Sequence, residues 1–229
     1  MYFLGKRVNV QMTTVEDNLS ELRKEIVPYK PVIIAVTKYF GAEKLVEAYQ
    51  DGLRDFAENR VQDALEKFGS LDAEIKENSR FHLIGHLQSN KVKKAVGKFY
   101  LIQSVDSLKL ATAISDEAKK QGIVQKILLQ VNNANEESKT GFSVDEIRRD
   151  FKEIISLDGI QVEGLMNIAP IADDETLCML FAGMRDLKTE LENNFSYPLK
   201  ELSMGMSSDY KLAVRYGSTM IRIGRKLFI

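Results

Sequence analysis

The stretch PVIIAVTK, residues 31–38, is apolar until its last two positions. Val32, Ile33, Ile34, Ala35 and Val36 follow one another without alternation, and all but Ala35 are β-branched. A run of this length and type reads as a strand buried on both faces, which places the chain among the α/β folds. Lys38 closes the run. A lysine in such a strand needs a partner for its ammonium, or must become neutral. At the strand's C-terminal end it points to where α/β proteins place their ligands. A desolvated, neutral lysine there can form a Schiff base with an aldehyde. A strand-end lysine that snorkels to water is the other reading, and the stretch alone leaves both open.

Working outward, a helix is expected from near Thr13, with Val15, Leu19, Leu22 and Ile26 on one face. Thr13, Thr14, Val15 and Glu16 form a capping-box pattern at its start, and Pro28 and Pro31 end it. Beyond Lys38 a pattern repeats: short apolar strand, polar or Gly-rich turn, amphipathic helix. Strands are expected over 55–59, 81–87, 101–105, 126–131, 162–168, 201–206 and 220–224. Ser143 and Glu146 cap one of the intervening helices. Eight βα units in about 200 residues fit a single (β/α)8 TIM barrel with an extra N-terminal helix. A doubly wound open sheet is the alternative. The barrel is preferred because the strand count closes and no helix pair is left over.

The bulk numbers agree with one domain spanning 1–229. Lys plus Arg total 32 against 33 Asp plus Glu, which is not the footprint of a nucleic-acid binder. No apolar run approaches the roughly 18 residues of a membrane span. A single cysteine, Cys178, excludes an intramolecular disulfide and suits a reducing cytoplasmic setting. Its place between Leu177 and Leu180 reads as a buried structural thiol. The first twelve residues lack a secretory pattern and read as a poorly ordered extension.

In a barrel all strand C-termini converge on one mouth. The seventh strand leaves through LSMGMSSD, where Gly205 allows a tight turn and Ser207, Ser208 and Asp209 open a helix suited to an anion. The eighth leaves through IRIGRK, where Gly224 permits close approach of a ligand. Loops after strands seven and eight are the usual phosphate position in barrels. Each motif alone reads first as an ordinary N-cap or Gly turn; the two together, at the positions the barrel demands, set a phosphate site level with that reading. Arg222 is a cation inside a strand, on the face opposite Ile221 and Ile223, so it should point inward with Gly224. It needs an acceptor: an acidic partner or a ligand nitrogen.

The segments AVTK, FAENRVQD, FHLIGHLQSNK, VNNANEESKTGF, GLMNIAP, LSMGMSSD and IRIGRKLF, in this order, resemble the motif series of the pyridoxal-phosphate homeostasis protein family. The likeness runs from Met12 nearly to the end. It implies the barrel fold of the N-terminal domain of bacterial alanine racemase, with pyridoxal 5'-phosphate as cofactor. It also implies Lys38 as the residue holding that cofactor as an aldimine, and Ser207 with the backbone around Gly224 and Arg225 as its phosphate cradle. Arg222 matches the arginine at the pyridine nitrogen; Asn59, Met204 and His82 match residues at the same mouth. An arginine only donates there, so the ring remains a poor electron sink. A racemase needs acid/base groups on both faces of the substrate carbon, and the second domain that supplies one is missing. The resemblance therefore implies a carrier acting in vitamin B6 and amino/keto-acid balance, a monomer handing pyridoxal phosphate to recipient apoenzymes. A weak amino-acid racemase or lyase is the alternative. Ala57 departs from the family's usual Gly, and Ile229 from a terminal Gly.

Three features keep bland readings. His82 and His86, four apart on an expected strand without a nearby carboxylate pair, do not read as a metal site. Lys91, Lys93, Lys94 and Lys98 read as a solvated helix face. Lys139, in the polar loop after the fifth strand, reads as a solvent lysine, with a role in cofactor transfer as the sharper option.

Overall fold

A computed structural model describes residues 14–134, 136 and 140–229. Eight parallel strands close into a barrel in chain order, β1 (Val32–Val36), β2 (Asp55–Glu58), β3 (Arg80–Leu83), β4 (Leu101–Val105), β5 (Gln125–Gln130), β6 (Ile160–Met166), β7 (Glu201–Met206) and β8 (Met220–Ile223). β8 pairs with β1, Ile34 opposite Arg222, so the sheet has no edge and the open-sheet alternative falls away. The expected extension over residues 1–12 lies outside the described residues, as does Lys139.

Helix α1 (Val15–Glu25) starts two residues past Thr13. Its capping box joins Thr14 to Asp17; Thr13, the cap expected from the sequence, lies outside the described residues. Val15, Leu19, Leu22 and Ile26 are all buried. The remaining helices α2 (Ala42–Gln50), α3 (Val61–Gly69), α4 (Ala73–Glu77), α5 (Val92–Ala95), α6 (Leu108–Lys120), α7 (Val144–Ile155), α8 (Asp174–Phe195), α9 (Tyr210–Arg215) and α10 (Arg225–Phe228) surround the sheet. The Ser143–Glu146 capping box opens α7 as expected. Cys178 on α8 is only half buried, which corrects the buried thiol. No helix among the described residues is long and apolar enough to cross a membrane.

Alternation along each strand splits the side chains into two layers. Ala35, Phe56, Leu83, Ile102, Ile221 and Ile223 join the larger cluster between sheet and helices. Val32, Ile34, Val36, Ala57, Leu128 and Met220 belong to the smaller cluster inside the barrel. Inner positions not filled by apolar groups carry polar ones, and these assemble the site.

Candidate functional site

The inward side chains Asp55 on β2, His82 on β3, Gln103 on β4, Ser203 on β7 and Arg222 on β8 are all buried. They form one hydrogen-bonded chain across the barrel. His82 Nε2 lies 3.0 Å from Asp55 Oδ1, and its Nδ1 lies 3.1 Å from Gln103 Nε2. An amide nitrogen can only donate, so Nδ1 accepts and Nε2 carries the proton that Asp55 receives. Ser203 donates to Gln103 Oε1 at 2.7 Å, and Arg222 Nη1 donates to Ser203 Oγ at 2.7 Å. Arg222 Nη2 ends the chain on the Asn167 carbonyl, also at 2.7 Å. A buried polar group left unpaired is costly in this low-dielectric interior, so the chain fixes each member's orientation.

Charge follows the same geometry. Burial pushes the Arg222 guanidinium down to about 10, with the Asp209 carboxylate opposing that shift, and it remains a cation at neutral pH. Burial raises Asp209, partly offset by the Met206 N–H and by Arg222. Asp55 shifts the other way: burial would raise it, but hydrogen bonds from His82 and Arg80 outweigh burial and hold it below the usual carboxylate range. The acidic partner considered for Arg222 is therefore an electrostatic neighbour, while its hydrogen bonds go to a hydroxyl and a carbonyl.

Lys38 sits two residues beyond β1, in the turn, and is exposed; its Nζ lies 4.9 Å from the Tyr39 ring centre. The protein itself does not desolvate it, and of the two readings the structure shows the solvent-facing one. It nevertheless leaves the strand on the parity of Val32, Ile34 and Val36, the inward set. The turn that carries it is clamped from outside. Thr37 Oγ1 donates to Glu58 Oε1 at 2.6 Å, Lys67 of α3 donates to the Thr37 carbonyl at 2.7 Å, and Lys67 pairs with Glu58. Glu58 and Lys67 were not among the expected site residues, nor was Gln103. A carboxylate inside FAEN and an amide inside LIQSV were the available signals.

At the other strand ends, the Gly224 N–H donates to Ser207 Oγ at 3.4 Å, which brings the two expected cradle segments together. Arg225 is exposed at the start of α10. Gly205 lies within β7 rather than in the turn expected there; it has φ +94, and a Cβ would lie 2.6 Å from the Ala213 Cβ, so this strand position favours glycine. Met204 is fully buried in the layer between sheet and helices, away from the barrel interior in which a lining residue would stand. Asn59, just past β2, has a buried Oδ1 without a protein hydrogen bond, and so has Asn167. His86 is exposed past the end of β3 and bonds to Asp106 at 2.9 Å, so the two histidines diverge.

Comparison with known proteins agrees with this architecture. The family described as alanine racemase, N-terminal domain, matches residues 10–229. A pyridoxal phosphate homeostasis protein of Aquifex aeolicus is 38% identical over 86% of this chain and 85% of its own length. The structure of PipY from Synechococcus elongatus, with pyridoxal phosphate bound, superposes with a TM-score of 0.85 at 38% identity, covering 94% of this chain and all of that one. Alanine racemase of Clostridium difficile shares the fold alone, at 14% identity and a TM-score of 0.77 over 93% of this chain and 56% of its own. With a family match over nearly its whole length and close relatives covered almost end to end, the chain belongs to the alanine racemase N-terminal domain family and, within it, to the pyridoxal phosphate homeostasis proteins.

Proposed function

We propose that the chain binds pyridoxal 5'-phosphate at the C-terminal mouth of its barrel and serves as a carrier in vitamin B6 and amino/keto-acid balance, without robust turnover. The observation that carries this is Arg222, a buried cation locked by Ser203 and the Asn167 carbonyl, together with the buried side-chain amide oxygens of Asn59, just past β2, and Asn167, just past β6, which lack protein donors. Such groups are costly unless something polar meets them, and a hydroxylated, anionic ring compound fits that need. When bound, the cofactor supplies an aldehyde carbon, to which a primary amine adds with loss of water. Lys38 is the amine on the inward parity. Ser207 and the backbone at Gly224 and Arg225 would receive the phosphate. Arg222 would offer a hydrogen bond but no proton to the ring nitrogen, which leaves carbanion chemistry weak. His82 acts at a distance, by orienting Gln103 and through it Ser203. Met204 would act through packing alone.

The chain is read as a monomer in the cytoplasm that meets recipient apoenzymes transiently. The test is the visible spectrum of the purified protein, before and after borohydride, followed by mapping of the modified peptide. A reduced pyridoxyl group on Lys38, lost in Lys38→Ala, is expected. A protein that stays colourless with added cofactor would refute the reading. Racemisation of single amino-acid enantiomers, abolished by Lys38→Ala, would replace the carrier with an enzyme.

A further inference from the structure

The end of the barrel opposite Lys38 carries a second concavity, of about 710 Å³, within the usual range for small-molecule sites. It is walled by the end of α1, by the loop that leads into β1, and by residues at the feet of β1, β2 and β3. This face of a barrel ordinarily serves stability. Its charges here do not. Arg23, Lys30, Arg54 and Arg80 all line the concavity, and a single carboxylate, Asp55, faces them. Asp55 already accepts from Arg80 at 2.5 Å and from His82 at 3.0 Å. Among the described residues, Arg23, Lys30 and Arg54 have no carboxylate partner. Four cations therefore line the concavity against one carboxylate, an excess of positive charge from which the fold draws no ion pair beyond Arg80–Asp55 among the described residues.

Arg54 is held as a binding group rather than as a floating surface charge. Its guanidinium lies 3.9 Å from the Tyr49 ring centre. Nη1 donates to the Tyr49 and Leu53 carbonyls, both at 2.7 Å. These contacts fix the plane of the fork and leave Nε and Nη2 without a protein acceptor among the described residues. A fixed, half-buried guanidinium with spare donors suits a carboxylate or phosphate. Beside it the wall is apolar: Val27 is 70% and Tyr29 41% exposed, with Ile26 behind them. The adjoining groove sets Glu16 and Asp51 against Arg23 and Lys24, so the excess of positive charge belongs to this concavity.

We propose that this concavity is a second ligand site, taking a small organic anion, a carboxylate or phosphate monoester on a flat apolar body. Arg54 grips the anionic group, Arg23 and Lys30 supply charge, and the Val27–Tyr29 wall covers the body. The proposal does not rest on Lys38 or on the cofactor reading, although Asp55 in its wall also begins the buried chain that ends at Arg222.

The test is calorimetric titration of the intact protein with benzoate, phenyl phosphate and inorganic phosphate. At least one aromatic anion should bind saturably, and more tightly than inorganic phosphate. Arg54→Ala should weaken it about tenfold or more, the loss expected for a charge-assisted contact. Lys30→Glu, at an exposed position where folding is not at stake, should weaken it too. Lys38→Ala and Ser207→Ala should leave it unchanged. Absence of saturable binding, or binding insensitive to Arg54→Ala and Lys30→Glu, would overturn the site. Loss in Lys38→Ala or Ser207→Ala would move the binding to the mouth and also overturn it. Equal affinity for inorganic phosphate would overturn the apolar half of the recognition.

Discussion

Replacing Lys67 with Met tests whether the turn carrying Lys38 is held from the helical layer. In the folded chain Lys67 Nζ donates to the Thr37 carbonyl at 2.7 Å and pairs with Glu58. The Glu58 side chain is 1% exposed and the Lys67 side chain 12%. Methionine keeps most of the stem and removes the ammonium, leaving Glu58 with the Thr37 hydroxyl, 2.6 Å away. Breaking a buried ion pair from one side costs about 3–5 kcal/mol, because the remaining charge is stranded. The slight exposure of Lys67 favours the lower end, about 3 kcal/mol. For a domain of this size that corresponds to a fall in Tm of roughly 6–12 °C. Glu58→Gln in the same chain removes the stranded charge and keeps an acceptor for Thr37. The double variant should therefore be less destabilised than the sum of the singles, with a coupling of about 1.5 kcal/mol or more. Urea unfolding of all four proteins measures this. The rate at which Lys38 is trapped by cofactor and borohydride, read alongside, reports the turn directly and should fall in Lys67→Met. A cost below about 1 kcal/mol for Lys67→Met, or singles that simply add, would refute the clamp.

Three further outcomes are expected. Gln103→Leu cuts the chain between His82 and Ser203, leaving both with one partner fewer, and should cost about 2–3 kcal/mol in urea unfolding. Gly205→Ala combines a positive φ with a Cβ 2.6 Å from Ala213 and should cost at least about 2 kcal/mol, measured the same way. Glu25→Gln should show a pH-dependent deficit. Burial would raise Glu25, but hydrogen bonds from Lys211, Tyr210 and Lys226 outweigh it and hold the group at about 2. A depressed carboxylate contributes stability that is fully present above its unfolded value of 4.5 and lost as pH falls through about 2. The deficit should therefore reach at most about 3 kcal/mol at pH 7, less with solvent screening, and close between pH 4.5 and 2 in thermal melts.

What the sequence shows and what it hides divide along one physical line. An unbroken, mostly β-branched run marks a strand that is covered on both faces, so β1 stands out, and the repeated alternation of short strands with amphipathic helices foreshadows closure. The ends of strands are less legible. The expected third strand over 81–87 extends four residues past the real end of β3 at Leu83, because Ile84 and Leu87 stay buried after the ladder stops. Hydrophobicity reports burial, not hydrogen-bond pairing. Helix α4 goes unannounced because Ile75 is its one buried residue, too little for a period. In the site, Lys38, Ser207, Arg222 and Gly224 are visible because each is a charge, a small polar group or a glycine in an apolar context. Gln103 breaks its strand's pattern just as Arg222 does, yet its meaning depends on Ser203, 100 residues away on the far side of the barrel. A local pattern can flag an inward polar side chain, but only the closed sheet supplies its partner. The interior chain from Asp55 to Arg222 is thus a property of closure itself. A change anywhere along it should reach Arg222 through the orientation of the next donor rather than through contact.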